Sequence, residues 1–168
     1  MRVILYMAIS VNGMIAKKDD DTSWVTKEEW ASYSLAVREA GNLIVGHRTY
    51  EILTKQPEFS EFKDVKLVVV SKNKFKTLSP NHLTAISPKE ALKMLKKFKE
   101  IIVAGGGILN NSFLAENLID EIYLDVEPII ISKGIPLFNG KEFERKLKLI
   151  GQKKIGENEI QLHYEVLK

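Results

Sequence analysis

Three short segments of this chain share one local plan: an apolar run, then a glycine or small polar residue, then groups that attract an anion. Gly105-Gly106-Gly107 follows the run at residues 100–104 and opens a helical pattern. Gly46-His47-Arg48-Thr49 ends a run at residues 42–46 with a glycine, two cationic side chains and a hydroxyl, and Ser71-Lys72 closes a run at 65–71. Glycines let a backbone turn sharply and approach a ligand closely, and a helix start behind them supplies free amides and a positive dipole. All three segments fall at the C-terminal ends of predicted strands, where open α/β sheets hold their ligands. Together they point to a phosphorylated ligand. The spacing is not GxGxxG, so a standard dinucleotide-binding domain does not follow. Taken singly, each has a plainer reading: a turn that needs glycine for packing, a surface histidine, a solvated lysine.

Acid–base chemistry falls to two carboxylates. Glu29 lies in the first turn of a predicted helix, close in sequence to Trp24, Trp30 and Tyr33. A carboxylate beside aromatics is partly desolvated, its pKa rises, and it can pass a proton near neutral pH. It also has a structural reading, because Thr26-Lys27-Glu28-Glu29 is a capping box in which Glu29 reaches back to the cap. Asp125 interrupts Ile122-Tyr123-Leu124-Asp125-Val126 and shares a face with Tyr123 by period-two alternation, which sends it either to solvent or to a site. If Asp125 and Glu29 converge, their repulsion raises one pKa further. The three histidines, His47, His82 and His163, are scattered, no metal-ligand spacing appears, and there are no cysteines to bring thiolate chemistry or disulfides.

The elements that must position these residues alternate between short apolar runs and helical patterns, the signature of an α/β sheet. Residues 3–9 read as a buried first strand and residues 10–25 as a long polar loop, a length that is often functional inside a compact domain. The capping box starts a helix that runs to Ala40, with Gly41 as its left-handed terminator. Trp30, Tyr33 and Val37 fall on one face of it at i, i+3, i+7. Short strands are expected at 42–46, 65–71 and 83–86, and a helix at 48–54. Ser87-Pro88-Lys89-Glu90 is a second capping box, followed by Ala91, Leu92, Leu95 and Phe98 at helical spacing. A strand at 100–104, a helix from Gly107 to about Asn117 and a strand at 120–131, bent at Pro128, come next. Residues 146–155 and 159–167 close the chain as an antiparallel hairpin.

These 168 residues suit a single domain, and with 45% apolar and 28% charged residues they can bury a core. The 25 basic and 22 acidic residues give +3, too little and too dispersed for nucleic-acid binding. Lys93, Lys96, Lys97 and Lys99 read as the wet face of a helix. No run approaches the roughly 18 apolar residues of a membrane span, and the N-terminus lacks a signal-peptide pattern. A soluble cytoplasmic protein is expected.

With these positions assembled, the chain resembles the dihydrofolate reductase superfamily over nearly its full length. The segment from Ala8 through Asn12 and Ile15 to Ala16 is similar to the family's first strand and substrate-side loop. The resemblance implies that Ala8 and Ile15 meet the nicotinamide and that Asn12 lies on the substrate side. It makes Trp24 the tryptophan that closes the loop, Glu29 the acid, and Tyr33 the aromatic that packs on a pterin. Gly46, His47, Arg48 and Thr49 match the segment that holds the cofactor phosphates, although the family more usually has Gly-Arg first. Ser71 and Lys72 match the segment at the adenosine 2′-phosphate, which implies NADPH. Gly105, Gly106, Gly107 and Ile108 match the pyrophosphate turn. From Gly105 to Asn110, at Ser112-Phe113-Leu114 and 118–122, and from Pro128 to Phe138, the chain most resembles the C-terminal reductase domain of the bifunctional riboflavin-biosynthesis deaminase/reductase. That branch reduces the ribosyl group of 5-amino-6-(5-phosphoribosylamino)uracil with NADPH, and its members commonly form homodimers. It typically places a glutamate before the paired glycines, where this chain has Ala104. The resemblance implies a three-layer α/β/α fold over residues 1–168, with a mainly parallel mixed sheet and an antiparallel C-terminal edge. A dihydrofolate reductase, or a nucleotide-binding protein without turnover, are the alternatives.

Overall fold

The structure is a computed structural model that describes residues 1–73 and 75–168. Its first strand, β1 (Arg2–Ser10), is central, which is why Val3, Ile4 and Leu5 are buried on both sides without alternation. After it, β2 (Met14–Lys17) forms a small two-stranded sheet with β8 (Gly134–Pro136), so residues 10–25 are not the plain loop that their polarity suggests. Parallel to β1 run β3 (Asn42–Gly46), β4 (Lys66–Val70), β5 (His82–Ala85), β6 (Glu100–Val103) and β7 (Glu121–Glu127). β9 (Leu147–Lys154) and β10 (Ile160–Val166) form the expected antiparallel hairpin. The large sheet has the order β5-β4-β3-β6-β1-β7-β10-β9. β7 stops at Glu127, one residue before Pro128, whose missing N–H cannot continue the ladder.

Helices cover both faces. On one, α1 (Lys27–Ala40), α2 (His47–Leu53) and a short 3-10 helix (Pro57–Phe62) enclose Tyr6, Tyr33, Val37, Tyr50 and Phe62. On the other, α3 (Pro88–Met94) and α4 (Gly107–Ala115) enclose Leu5, Leu92, Leu109 and Phe113. Each fully buried side chain of this size contributes about 1.5–3 kcal/mol. α3 ends earlier than its apolar spacing suggests, with Leu95 as C-cap. α1 ends as expected at Gly41, whose φ of 68° is left-handed and whose amide bonds the carbonyls of Val37 and Arg38.

The two capping boxes fold differently. Ser87 caps α3 by accepting from the Glu90 amide at 3.3 Å, and Glu90 reaches back to the Ile86 amide at 2.7 Å. Thr26 likewise caps α1 by accepting from the Glu29 amide at 3.2 Å. The Glu29 carboxyl does not return to the cap. Glu127, arriving from β7, accepts from both the Thr26 amide and the Thr26 hydroxyl at 2.9 Å. The structural task expected of Glu29 belongs to another acid.

Candidate active site

The parallel strands end on one rim, where Gly46 closes β3, Ser71 follows β4 and Ala104 to Gly106 follow β6. On the side of β3, β4 and β6 the rim is shaped by glycine. The Gly46 amide donates to the Gly105 carbonyl at 2.7 Å, which draws the two turns together. Gly105 has a φ of 84°, open to glycine and costly for other residues. A β-carbon on Gly106 would lie 3.2 Å from Thr49 Oγ1, so the first turn of α2 sits against the start of α4. Gly46 and Gly106 are the N-caps of these helices, and among the described residues no side chain caps either helix. Their leading amides therefore face the rim without the hydroxyl partners that Thr26 and Ser87 give α1 and α3. Unpartnered amides and the positive helix end are what an anionic group such as a phosphate takes.

The side chains around this half are held by local contacts. His47 stacks on Phe75 with ring centroids 4.0 Å apart, and its Nε2 lies 3.6 Å from Glu51 Oε1. Arg48 binds Asp20 Oδ2 through Nε at 2.7 Å and Nη2 at 2.6 Å, tying α2 to the segment after β2. The Ser71 hydroxyl closes its own turn, donating to the Asn73 carbonyl at 2.9 Å, and Lys72 is exposed. Ile108, in the first turn of α4, is 70% exposed, an apolar surface beside the glycines. Ala104 is buried in the core with Val45 and Ile102, so this position brings no charge to the rim.

The half formed by β1, β7 and α1 is acidic and closed. Asp125 is fully buried; its Oδ2 accepts from the Tyr6 hydroxyl at 2.8 Å and its Oδ1 from Gln161 Nε2 at 2.8 Å. Gln161 Nε2 also donates to the Tyr6 oxygen at 2.7 Å, and the Ser32 hydroxyl lies 2.8 Å from that oxygen. Glu29 is 4% exposed. Burial first, then the charges of Asp125 and Glu127, push its carboxyl up to about 8. Burial also lifts Asp125 to about 6, against the pull of the bonds from Gln161 and Tyr6. Tyr33 is buried beside Glu29, and burial followed by that charge pushes its phenol upward. Glu29 is thus within electrostatic reach of Asp125, and Tyr33 within that of Glu29.

The other substrate-side candidates serve the loop. Asn12 donates to the Ile131 carbonyl at 2.9 Å and accepts from the Ile131 amide at 3.1 Å, clamping the β1–β2 turn to the segment after β7. Trp24 Nε1 donates to the Asp21 carbonyl at 3.2 Å. Ala8 lies opposite Asp125 in register, and Ile15 sits half-buried on β2. Trp30 packs edge-on against Tyr33 and also against Phe62, and donates to Glu61 at 3.2 Å. Sequence reasoning missed Tyr6, Ser32, Glu127 and Gln161. Glu127 was within reach, since alternation from Asp125 puts it on the same face; Gln161 needed the β7–β10 register, which sets it opposite Asp125. Among the described residues, no group of three or more His, Cys, Asp and Glu side chains is arranged to hold a metal ion.

A doubly covered sheet with this strand order, a glycine-built rim and a buried acid on the first helix defines a dihydrofolate-reductase-like α/β protein. More narrowly, the chain belongs to the RibD C-terminal domain family, whose model matches residues 1–160. It is 34% identical over 170 residues to the uncharacterized protein YwjB of Bacillus subtilis (strain 168), covering 97% of each chain. It is 32% identical over 132 residues to the dihydrofolate reductase type 1 of Escherichia coli, covering 76% of this chain and 78% of that one. Its fold matches that of a protein from Shewanella sp. PV-4 whose name ties it to riboflavin biosynthesis, with a TM-score of 0.81, 21% identity and 100% of both chains covered. That last likeness concerns the fold alone.

Proposed function

We propose that this chain is an NADPH-dependent reductase that delivers a hydride to the C=N carbon of a small pterin- or pyrimidine-like substrate. The first candidate is 5-amino-6-(5-phosphoribosylamino)uracil, as expected of a RibD-type reductase domain. One observation carries the reading: two glycine-capped, otherwise uncapped helix starts follow strands of the same sheet that α1 covers with a buried carboxyl, Glu29, whose burial beside other acids raises its proton affinity.

The residues fit the cofactor. Gly46, Thr49 and Gly105 to Gly107 would hold its pyrophosphate against Ile108; Arg48, Ser71 and Lys72 would hold the adenosine phosphate, with His47 beside them. Ala8 and Ile15 would flank the nicotinamide. When bound, NADPH supplies the hydride. Glu29, largely protonated below about pH 8, gives a proton to the substrate nitrogen directly or through a water it holds. Tyr33 walls the substrate ring, while Trp24 and Asn12 fix the loop that shields it, which orients the reacting atoms and excludes water.

A second reading, dihydrofolate reduction, is favoured by Ala104: the rim lacks an acid there, and the acid in the site comes from α1. A spectrophotometric screen of NADPH consumption with the phosphoribosylaminouracil and with dihydrofolate separates the two. Turnover of the first supports the riboflavin-type reaction, and turnover of the second selects folate. Absence of NADPH binding overturns both.

A further inference from the structure

Two pins hold α1 over β7. At the cap, Thr26 is bonded to Glu127. Two turns later, Ser32 meets the Tyr6 hydroxyl, which is itself bonded to Asp125. Glu29 lies between the pins, three residues from each, and so faces the two carboxylates that the pins reach.

Both neighbours receive donors that Glu29 lacks: Glu127 takes the two from Thr26 on Oε1, while its buried Oε2 has no partner among the described residues. Both Asp125 oxygens accept from neutral donors, the Tyr6 hydroxyl at 2.8 Å and Gln161 Nε2 at 2.8 Å. Gln161 uses its second proton on the Tyr6 oxygen at 2.7 Å, which commits the tyrosine proton to Asp125. Such bonds favour the charged form of Asp125 without neutralising it. Among the described residues no N–H or O–H donates to the Glu29 carboxyl. When two acids compete for one proton in a closed site, the acid without donors keeps it.

We propose that Tyr6, Gln161 and Asp125 form a positioning group that keeps the proton on Glu29, an assignment that rests on Glu29 being the proton donor of the reaction proposed above. The charged and titratable groups facing this arrangement come from four elements: Tyr6 from β1, Asp125 and Glu127 from β7, Tyr33 from α1, and Lys153 from β9 acting on Asp125. Asp125 adds its charge to the effect of burial on Glu29, and Tyr6 and Gln161 keep Asp125 able to do so.

The test needs neither cofactor nor substrate. Infrared difference spectra of the full chain, titrated over pH, report the neutral-carboxyl stretch of Glu29, assigned by its loss in Glu29→Gln. The wild-type midpoint is expected near 8. In Asp125→Asn, which keeps side-chain volume and removes the charge, the midpoint is expected to fall by about one pH unit, with burial and Glu127 holding the rest of the rise. Should that variant not fold, Gln161→Ala takes one donor from Asp125, and the Glu29 band at neutral pH is expected to weaken as the proton moves across. A Glu29 carboxyl already ionised at pH 7 in the wild type, or a band that neither substitution moves, overturns the proposal. The expected midpoints in a protein that does not bind NADPH would keep the positioning group and remove the reductase. Turnover lost in Glu29→Gln with an unmoved band in Asp125→Asn would do the reverse.

Discussion

The two halves of the rim are built by opposite means. Where β3 and β6 end, side chains are withheld: Gly46 and Gly106 stand where other helices carry Thr26 or Ser87, and backbone amides are left open. Where β1 and β7 end, side chains fill the space, and the buried polar groups bond one another around Asp125. The first half suits a fixed anionic charge, which needs only oriented amides. The second suits a mobile proton, which needs a low-dielectric site and acids of unequal affinity.

If this division is right, substitutions should act on one half and spare the other. The largest effect is expected from Glu29→Gln: turnover falls roughly 100-fold or more, as for loss of a general acid, while NADPH affinity stays within about twofold. Steady-state rates and a binding titration read both. Gly106→Ala should do the converse, since its β-carbon would crowd Thr49 Oγ1 at 3.2 Å and push that hydroxyl by a few tenths of an ångström at the junction of the two helix starts. NADPH should bind about tenfold more weakly, on the order of 1.4 kcal/mol, with the pH dependence of turnover unchanged.

Stability sharpens the same contrast. The folded chain holds a proton on Glu29 up to about pH 8, whereas the unfolded chain releases it near the ordinary carboxylate value. Stability from this group is therefore lost as pH rises. Between about pH 7, where Asp125 has largely ionised, and about pH 8, denaturant unfolding should show a decline approaching about 1.4 kcal/mol per pH unit that Glu29→Gln abolishes. Gly106→Ala should keep it. The smallest effect belongs to Asp20→Asn, which releases Arg48 from a solvent-exposed pair; NADPH binding should tighten by about two- to threefold in a fluorescence titration.

How much of this was legible in the sequence follows the same line. The glycine half was readable because its logic is local: a strand, a glycine and a helix start are consecutive residues. Glu29 and Asp125 were visible as acids in apolar surroundings, yet the capping box at Thr26 left the role of Glu29 open. What the structure adds is that Glu127, 101 residues from Thr26, takes the bonds at the cap, a pairing that only the tertiary fold supplies. Gln161 reaches Asp125 through strand register, and residues 10–25 become β2 through pairing with β8; neither leaves a local signal. Contacts across the sheet depend on which strands become neighbours, and here β1 lies between β6 and β7.

The most direct test of the account is one titration run on three proteins: NADPH binding to the wild type, Gly106→Ala and Glu29→Gln, followed by nicotinamide fluorescence. Binding that is weakened in Gly106→Ala and preserved in Glu29→Gln is the expected result. A wild type that does not bind NADPH, or a Glu29→Gln variant that loses binding as fully as Gly106→Ala, would contradict it.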